Sequence, residues 1–273
     1  MLKELFFGNI SKNYLGDTIL NHMIIKVKSE RNVISLQKIG VITINDFNNY
    51  GNRLQCYAVQ RYLENMGYVV ENIYNENTSC NAAINFGKIL LRGLRNFSKR
   101  KTIAVRNQNF HQFNKRINFS EYRIINGQYD KGLNEKYDFF VTGSDQVWNP
   151  YDSGRSEIDF LSFAGDEKKI SFSASIGADS LPDCVTEKYK EYLKKFKSIS
   201  VRENSAKRIV EDLTGRNDVE LLVDPTMLLT VEDWKEVSLK PNYNYSSKYI
   251  LSYFLGGSKE YEPIIRSIAE KYS

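Results

Sequence analysis

The sequence predicts an α/β protein, a doubly wound parallel sheet covered by helices, and three observations predict it. Short, nearly continuous apolar runs recur along the chain, as strands buried on both faces require. Segments with apolar residues three and four apart separate these runs. Polar, glycine-bearing loops follow the predicted strands, so each strand leads through a loop into a helix.

The first unit shows all three. Ile39, Val41 and Ile42 form a β-rich run, a polar loop spans Asn45 to Asn52, and Cys56, Val59, Leu63 and Met66 mark the buried stripe of a helix. Gly67 fits the C′ position that ends such a helix, and Tyr68 to Tyr74 reads as the next strand. The stretch from Asn81 to Asn134 carries Lys88, Arg92, Arg95, Lys99, Arg100, Lys101, Arg106, Lys115 and Arg116 among Phe, Ile and Leu, and is expected to be helical with one basic face. Strands are then expected at Tyr137 to Thr142, Ile170 to Ser175, Ser198 to Val201 and Glu220 to Val223. Thr186 to Phe196 and Ser205 to Leu213 have helical period, and Thr230-Val-Glu-Asp233 resembles a capping box opening a further helix.

These elements define a lobe over residues 38–240, preceded by an extension of 37 residues. Pro241 to Ser247 is turn-rich and suits a linker. Beyond it, within 248–273, a strand at Ile250 to Phe254, a Gly256-Gly257 turn and a helix with stripe Tyr261, Ile264, Ile265, Ile268 and Ala269 begin a second unit. One strand and one helix cannot bury a core, so the expectation is a second lobe that has been cut off.

Composition narrows the function. With 41% hydrophobic and 26% charged residues the chain is globular rather than disordered or membrane-embedded. The net charge of +5 suits anionic ligands without demanding nucleic acid. Cys56, Cys80 and Cys184 stand far apart, which suggests neither a disulfide framework nor a zinc site, and His22 and His111 are too few for a histidine metal site. No metal or cofactor is implied, and a general base would have to be a carboxylate or lie outside this sequence. The first 37 residues are punctuated by Lys3, Glu4, Lys12, Asp17 and His22, unlike a signal peptide, so a cytoplasmic setting is expected. The basic stretch Lys88 to Lys101 motivates peripheral contact with the inner face of the membrane, against the alternative of a solvated helix face.

Three segments occur in a telling order: Asn48-Asn-Tyr-Gly-Asn-Arg-Leu-Gln55, then Tyr137-Asp-Phe-Phe-Val-Thr-Gly-Ser-Asp-Gln-Val-Trp-Asn149, then Ser200-Val-Arg-Glu203 followed by Val223-Asp-Pro-Thr226. Together they resemble the polysaccharide pyruvyl transferase family over roughly Lys38 to Lys271, and Gly-Ser-Asp-Gln-x-Trp-Asn is the most specific string. The resemblance implies a Rossmann-like lobe of a two-lobe, glycosyltransferase-B-like architecture. It implies transfer of the enolpyruvyl group of phosphoenolpyruvate, as a ketal, to a lipid-linked or polymeric glycan of the cell surface, with release of phosphate. A nucleotide-sugar glycosyltransferase of similar build, or a non-catalytic remnant, are the alternatives.

Each matched segment follows a predicted strand, where ligands collect in open α/β sheets. Asn49, Tyr50 and Gly51 join strand to helix, and there Gly51 lets the backbone approach a ligand while Asn49 or one of its neighbours caps the helix; a merely well-capped turn would look the same. Gly143 relieves crowding, and Ser144, Asp145 and Gln146 offer hydrogen-bonding groups. Asp145 can take a proton from a sugar hydroxyl or simply cap a turn, and Trp148 reads as core. Arg202, between a strand and a helix, is the sharpest candidate for gripping a carboxylate or phosphate; the competing reading is an ion pair with Glu203 or another acid. Asp224-Pro225 reads as a structural strand end.

Overall fold

The computed structural model describes residues 36–44, 49–76, 100–240, 249–254 and 257–272. It divides into two compact units, Met1–Trp234 and Lys235–Ser273. Among the described residues the first unit holds one seven-stranded sheet with β1 (Lys38–Ile42), β2 (Val69–Glu76), β3 (Phe119–Ile125), β4 (Phe139–Thr142), β5 (Lys169–Ala174), β6 (Ser198–Val201) and β7 (Glu220–Leu221). Every neighbouring pair is parallel, in the order β3-β2-β1-β4-β5-β6-β7. The order reverses between β1 and β4, so right-handed crossovers place the connections of the two halves on opposite faces and open a crevice beyond the carboxyl ends of these two strands.

Among the described residues the helices of this unit are α1 (Tyr50–Asn65), α2 (Arg100–Asn114), α3 (Asp183–Leu193), α4 (Asn204–Thr214) and α5 (Val231–Val237), the last running into the second unit. α1 starts inside the stretch expected to be loop, because Asn49 accepts the Asn52 N–H at 3.2 Å and so serves as its N-cap. It stops where expected: Gly67 has φ 89°, its N–H donates to Glu64 O at 2.8 Å and that of Tyr68 to Leu63 O at 3.2 Å, a Schellman ending. Cys56, Val59 and Leu63 are buried, as the stripe predicts. A hydrophobic core cluster joins Ile42, Phe140, Ile199 and Val210 with Trp148, which is 0% exposed.

Two expectations are corrected. The stretch Asn81 to Asn134 is not helical throughout, since β3 occupies Phe119–Ile125 at the sheet edge. Its burial alternates, Ser120 and Ile124 being buried and Tyr122 half-buried, but the inward row includes a serine while Ile125 is exposed, and the pairing with β2 shifts register between Asn72 and Tyr74, which blurs the strand's period in sequence. Residues 249–254 form no strand, so Ile250 to Phe254 lacks the ladder that its β-rich composition suggested. The second unit instead carries a 3₁₀ turn, Lys259–Tyr261, leading into α6 (Glu262–Tyr272), with Phe254 stacked on Tyr261 at 5.3 Å. The extension up to residue 35, the linker Pro241 to Ser247, Cys80, His22 and Lys88, Arg92, Arg95 and Lys99 of the basic stretch lie outside the described residues. No described helix is long and apolar enough to cross a membrane.

The predicted capping box opens α5: Asp233 N–H donates to Thr230 Oγ1 at 3.1 Å, and Thr230 N–H to Asp233 Oδ2 at 3.0 Å. Asp233 also accepts from Arg61 Nε at 3.0 Å and Asn65 Nδ2 at 3.2 Å, tying α5 to α1. Burial disfavours its charge, but the bonds from Thr230, Arg61 and Asn65 outweigh burial and hold the carboxyl down at about 2. Asp233→Ala is therefore expected to cost roughly 2 kcal/mol in urea denaturation near neutral pH, from a lost cap and lost charge-assisted bonds. Because the folded value lies below the unfolded one, this contribution is present above about pH 4 and fades as pH falls toward 2. A difference between parent and variant that persists undiminished at pH 2 would show that the carboxylate's charge is not its source.

Candidate functional site

Helix α1, the segments after β4, β6 and β7, and α5 line one cavity of about 400 Å³ with Gly51, Leu54, Gln55, Asp145, Arg202, Asp224, Thr226 and Trp234. All belong to the first unit. The cavity lies at the reversal of strand order, and Asn52 Nδ2 on α1 donates to Asp145 Oδ2 across it.

Asp145 is delivered by backbone geometry. Gly143 has φ 109°, and a Cβ built on it would stand 2.4 Å from Phe172 O, so only glycine lets the loop after β4 lie against β5. Asp145 itself has φ 77°, a region aspartate tolerates better than most residues. Its main-chain oxygen accepts from Val147 N at 2.8 Å and Ser175 N at 2.9 Å, and its Oδ1 accepts from Gln146 N at 2.8 Å. These bonds fix the carboxyl group at the cavity wall.

Arg202 enters from the end of β6, where its N–H donates to Ala174 O at 3.1 Å. Nη1 pairs with Asp224 Oδ2 at 2.7 Å, and Nη2 lies 3.7 Å from Asp145 Oδ1. The ion pair expected as the competing reading thus exists, but with Asp224 rather than Glu203, and the guanidinium still borders the cavity. Glu203 turns instead to the loop after β5, its Oε1 accepting from Ser175 Oγ, Ile176 N and Gly177 N.

Asp224 is more than a strand end. It caps the 3₁₀ turn Pro225–Met227, Oδ1 accepting from Thr226 N at 3.0 Å and Thr226 Oγ1 at 2.7 Å, while Ser144 Oγ approaches Oδ2 at 3.4 Å. Burial opposes its charge, yet the Thr226 bonds and the Arg202 guanidinium together hold the carboxyl below the usual carboxylate range. Trp234 closes the wall, its Nε1 donating to Thr226 O at 3.3 Å.

The remaining sequence candidates take different places. Gly51 lines the cavity and Asn49 caps the helix behind it. Tyr50 is 51% exposed beside Phe110, with Arg106 over both rings, and is not in the lining. Ser144 is buried under the cavity, donating to Ser173 O at 3.2 Å as well as reaching Asp224. Gln146 accepts from Asn149 Nδ2 at 2.8 Å and packs by Gly177, outside the lining. Trp148 is core, stacked on Phe160 and donating Nε1 to Asp159 O at 3.1 Å, and His111 lies exposed on α2. Sequence reasoning missed Leu54, Gln55, Asp224, Thr226 and Trp234; Leu54 and Gln55 end the first matched segment, and the Asp-Pro-Thr string, which reads equally as a cap, was the signal for Asp224 and Thr226. Among the described residues no group of three or more His, Cys, Asp or Glu side chains is placed to hold a metal ion.

A parallel sheet with reversed strand order, and a cavity at the reversal lined by Asp145, Arg202 and Asp224, define a doubly wound α/β fold. The chain belongs to the polysaccharide pyruvyl transferase family, whose model matches residues 49–272. That is a transferase family, and it implies a glycan acceptor. Searches of curated proteins and of solved structures return no match.

Proposed function

We propose that the chain binds phosphoenolpyruvate in the cavity beside Arg202 and transfers its enolpyruvyl group, as a ketal, to a glycan destined for the cell surface. The observation that carries this reading is the meeting of Arg202 and Asp145, from two separately matched segments, on one cavity of about 400 Å³ in a member of this family. A guanidinium fork matches a carboxylate or a phosphate. The first turn of α1 holds no acidic residue, so the positive end of that helix adds to the attraction at Gly51. Asp145 acts on the acceptor hydroxyl as a proton acceptor within the same wall. A second Rossmann-like lobe, supplying further cations to the donor, completes the reading.

Titration calorimetry of this chain with phosphoenolpyruvate tests it. Arg202→Ala is expected to raise Kd by about 10- to 100-fold, the worth of a charge-assisted hydrogen-bond pair. Equal affinity in the variant would return Arg202 to a purely structural pairing with Asp224. Tighter binding of nucleotide sugars than of phosphoenolpyruvate would favour a glycosyltransferase instead.

A further inference from the structure

The wall of the cavity is not uniform. Its charged side chains, Asp145, Arg202 and Asp224, follow β4, β6 and β7, whereas Gly51, Leu54 and Gln55 on α1 and Trp234 on α5 bring no charge. These four belong to one surface, because Trp234 packs on Tyr57 of α1 at 5.9 Å and the neighbouring Asp233 bonds Arg61 and Asn65 of the same helix. Within it Gln55 is singular. The residue is 3% exposed, its Nε2 donates to Thr43 Oγ1 at 2.8 Å and to Asn52 O at 3.2 Å, and its buried Oε1 accepts no hydrogen bond from the described residues. The amide cannot be reversed to cure this. Thr43 Oγ1 gives its own proton to Ser144 O at 3.0 Å, and Asn52 O is a carbonyl, so a turned amide would set its oxygen against two acceptors. A buried acceptor without a donor is costly and rare in folded proteins, and it calls for a partner that the chain itself does not supply.

Gln55 is also fixed with respect to Asp145. It follows Asn52 by three residues and so shares a face of α1 with it, and Asn52 Nδ2 donates to Asp145 Oδ2. Through Thr43, Gln55 is bonded in turn to the main chain of Ser144, the residue before Asp145. A hydroxyl received at Gln55 is thereby held on the helix face that meets the carboxylate.

We propose that the uncharged side of the cavity is the subsite for a pyranose ring, one of whose hydroxyls donates to Gln55 Oε1 while a C–H face of the ring lies on Trp234 and Leu54. A pyranose has both properties that this surface asks for, an apolar face and an edge of hydroxyl donors. A carboxylate or a phosphate dianion has neither. The cavity is thus divided, the anion at Arg202 and the saccharide at Gln55. Gln55 then sets specificity, because a saccharide lacking the hydroxyl leaves Oε1 unpaired, and a site built to receive a hydroxyl strongly rejects the analogue without it. That this saccharide is the acceptor of group transfer rests on the proposed function; that it binds here does not.

The probes are the methyl pyranosides of glucose, galactose and mannose, each with its monodeoxy forms. The chain has two tryptophans and Trp148 is sealed in the core, so a change in tryptophan emission on adding a glycoside reports Trp234. At least one intact glycoside is expected to bind the parent, and one of its monodeoxy forms to bind about tenfold more weakly or worse. Gln55→Met is expected to bind the intact glycoside as weakly as the parent binds that deoxy form, and to bind the deoxy form no worse than the parent does. A merely structural Gln55 would weaken both forms alike in the variant. That outcome overturns the proposal, as does failure of all three glycosides to bind the parent, or a preference for the hydroxyl that survives in Gln55→Met. Should the variant fail to fold, the Gln55 side-chain amide signals of the parent decide by nuclear magnetic resonance: they move on saturation with the glycoside, and unmoved signals sink the subsite. A parallel titration of the parent with phosphoenolpyruvate separates the two claims. Glycoside binding through Gln55 without phosphoenolpyruvate binding defeats the functional reading only; phosphoenolpyruvate binding without it defeats the subsite only. Failure of both ligands to bind defeats both.

Discussion

Asp145→Asn is expected to lower kcat for phosphate release from phosphoenolpyruvate in the presence of an acceptor by about 10²- to 10⁴-fold, the usual worth of a positioned acid or base. The substitution isolates chemistry from architecture. Asparagine tolerates the φ of 77° at this position, keeps an oxygen for the Gln146 N–H, and can meet Asn52 once that amide rotates. Tm should therefore stay near the parent's while turnover falls. Asp145→Ala would add backbone strain and lose the Asn52 bridge, so its defect could not be read as chemistry alone. An asparagine variant that keeps most of its rate would reduce Asp145 to a loop-fixing residue.

The largest effect on stability is expected at Gly143. Gly143→Ala places a methyl group 2.4 Å from Phe172 O and 3.3 Å from Ala174 N, both main-chain atoms of β5 that cannot swing away. It also forces φ 109° on a residue with a side chain. Backbone strain and overpacking each cost about 1–3 kcal/mol, so a loss of about 4 kcal/mol is expected in urea denaturation. For a unit of this size that lowers Tm by on the order of 10 °C. Loss of anion binding should accompany it, because Ser144 and Asp145 hang from the same turn. A loss below about 1 kcal/mol would mean that the loop after β4 can lift from β5 at little expense.

Much of the sheet could be read from residues: Phe139–Thr142 is almost wholly apolar, as a strand buried on both faces requires, and Ser198–Val201 alternates serine with Ile199 and Val201 at the strand period. The edges could not. β3 is half exposed and its pairing slips, so neither strand nor helix period dominates, and Ile250 to Phe254 has strand-like residues without a partner to pair with. The site divides in the same way. Asp145 and Arg202 stood out because each follows an unmistakable strand. Asp224, Thr226 and Trp234 did not, since what they do depends on folding distant segments together: Asp224 lies 22 residues from the arginine it pairs with, and nothing local to Asp-Pro-Thr distinguishes a cap from a cavity wall. Ser144, chosen for its hydroxyl, belongs to the support beneath the site because a residue next to a buried strand end is as readily turned inward as outward.

The cavity's wall is assembled from four separate crossovers, one each after β1, β4, β6 and β7, over a sheet whose ladder none of them interrupts. Modularity follows from that plan. A change in the length or composition of one connection can reshape one side of the chamber while the other three, and the framework below, keep their places. On the proposed reading, donor grip and acceptor choice can then diverge independently, one connection at a time.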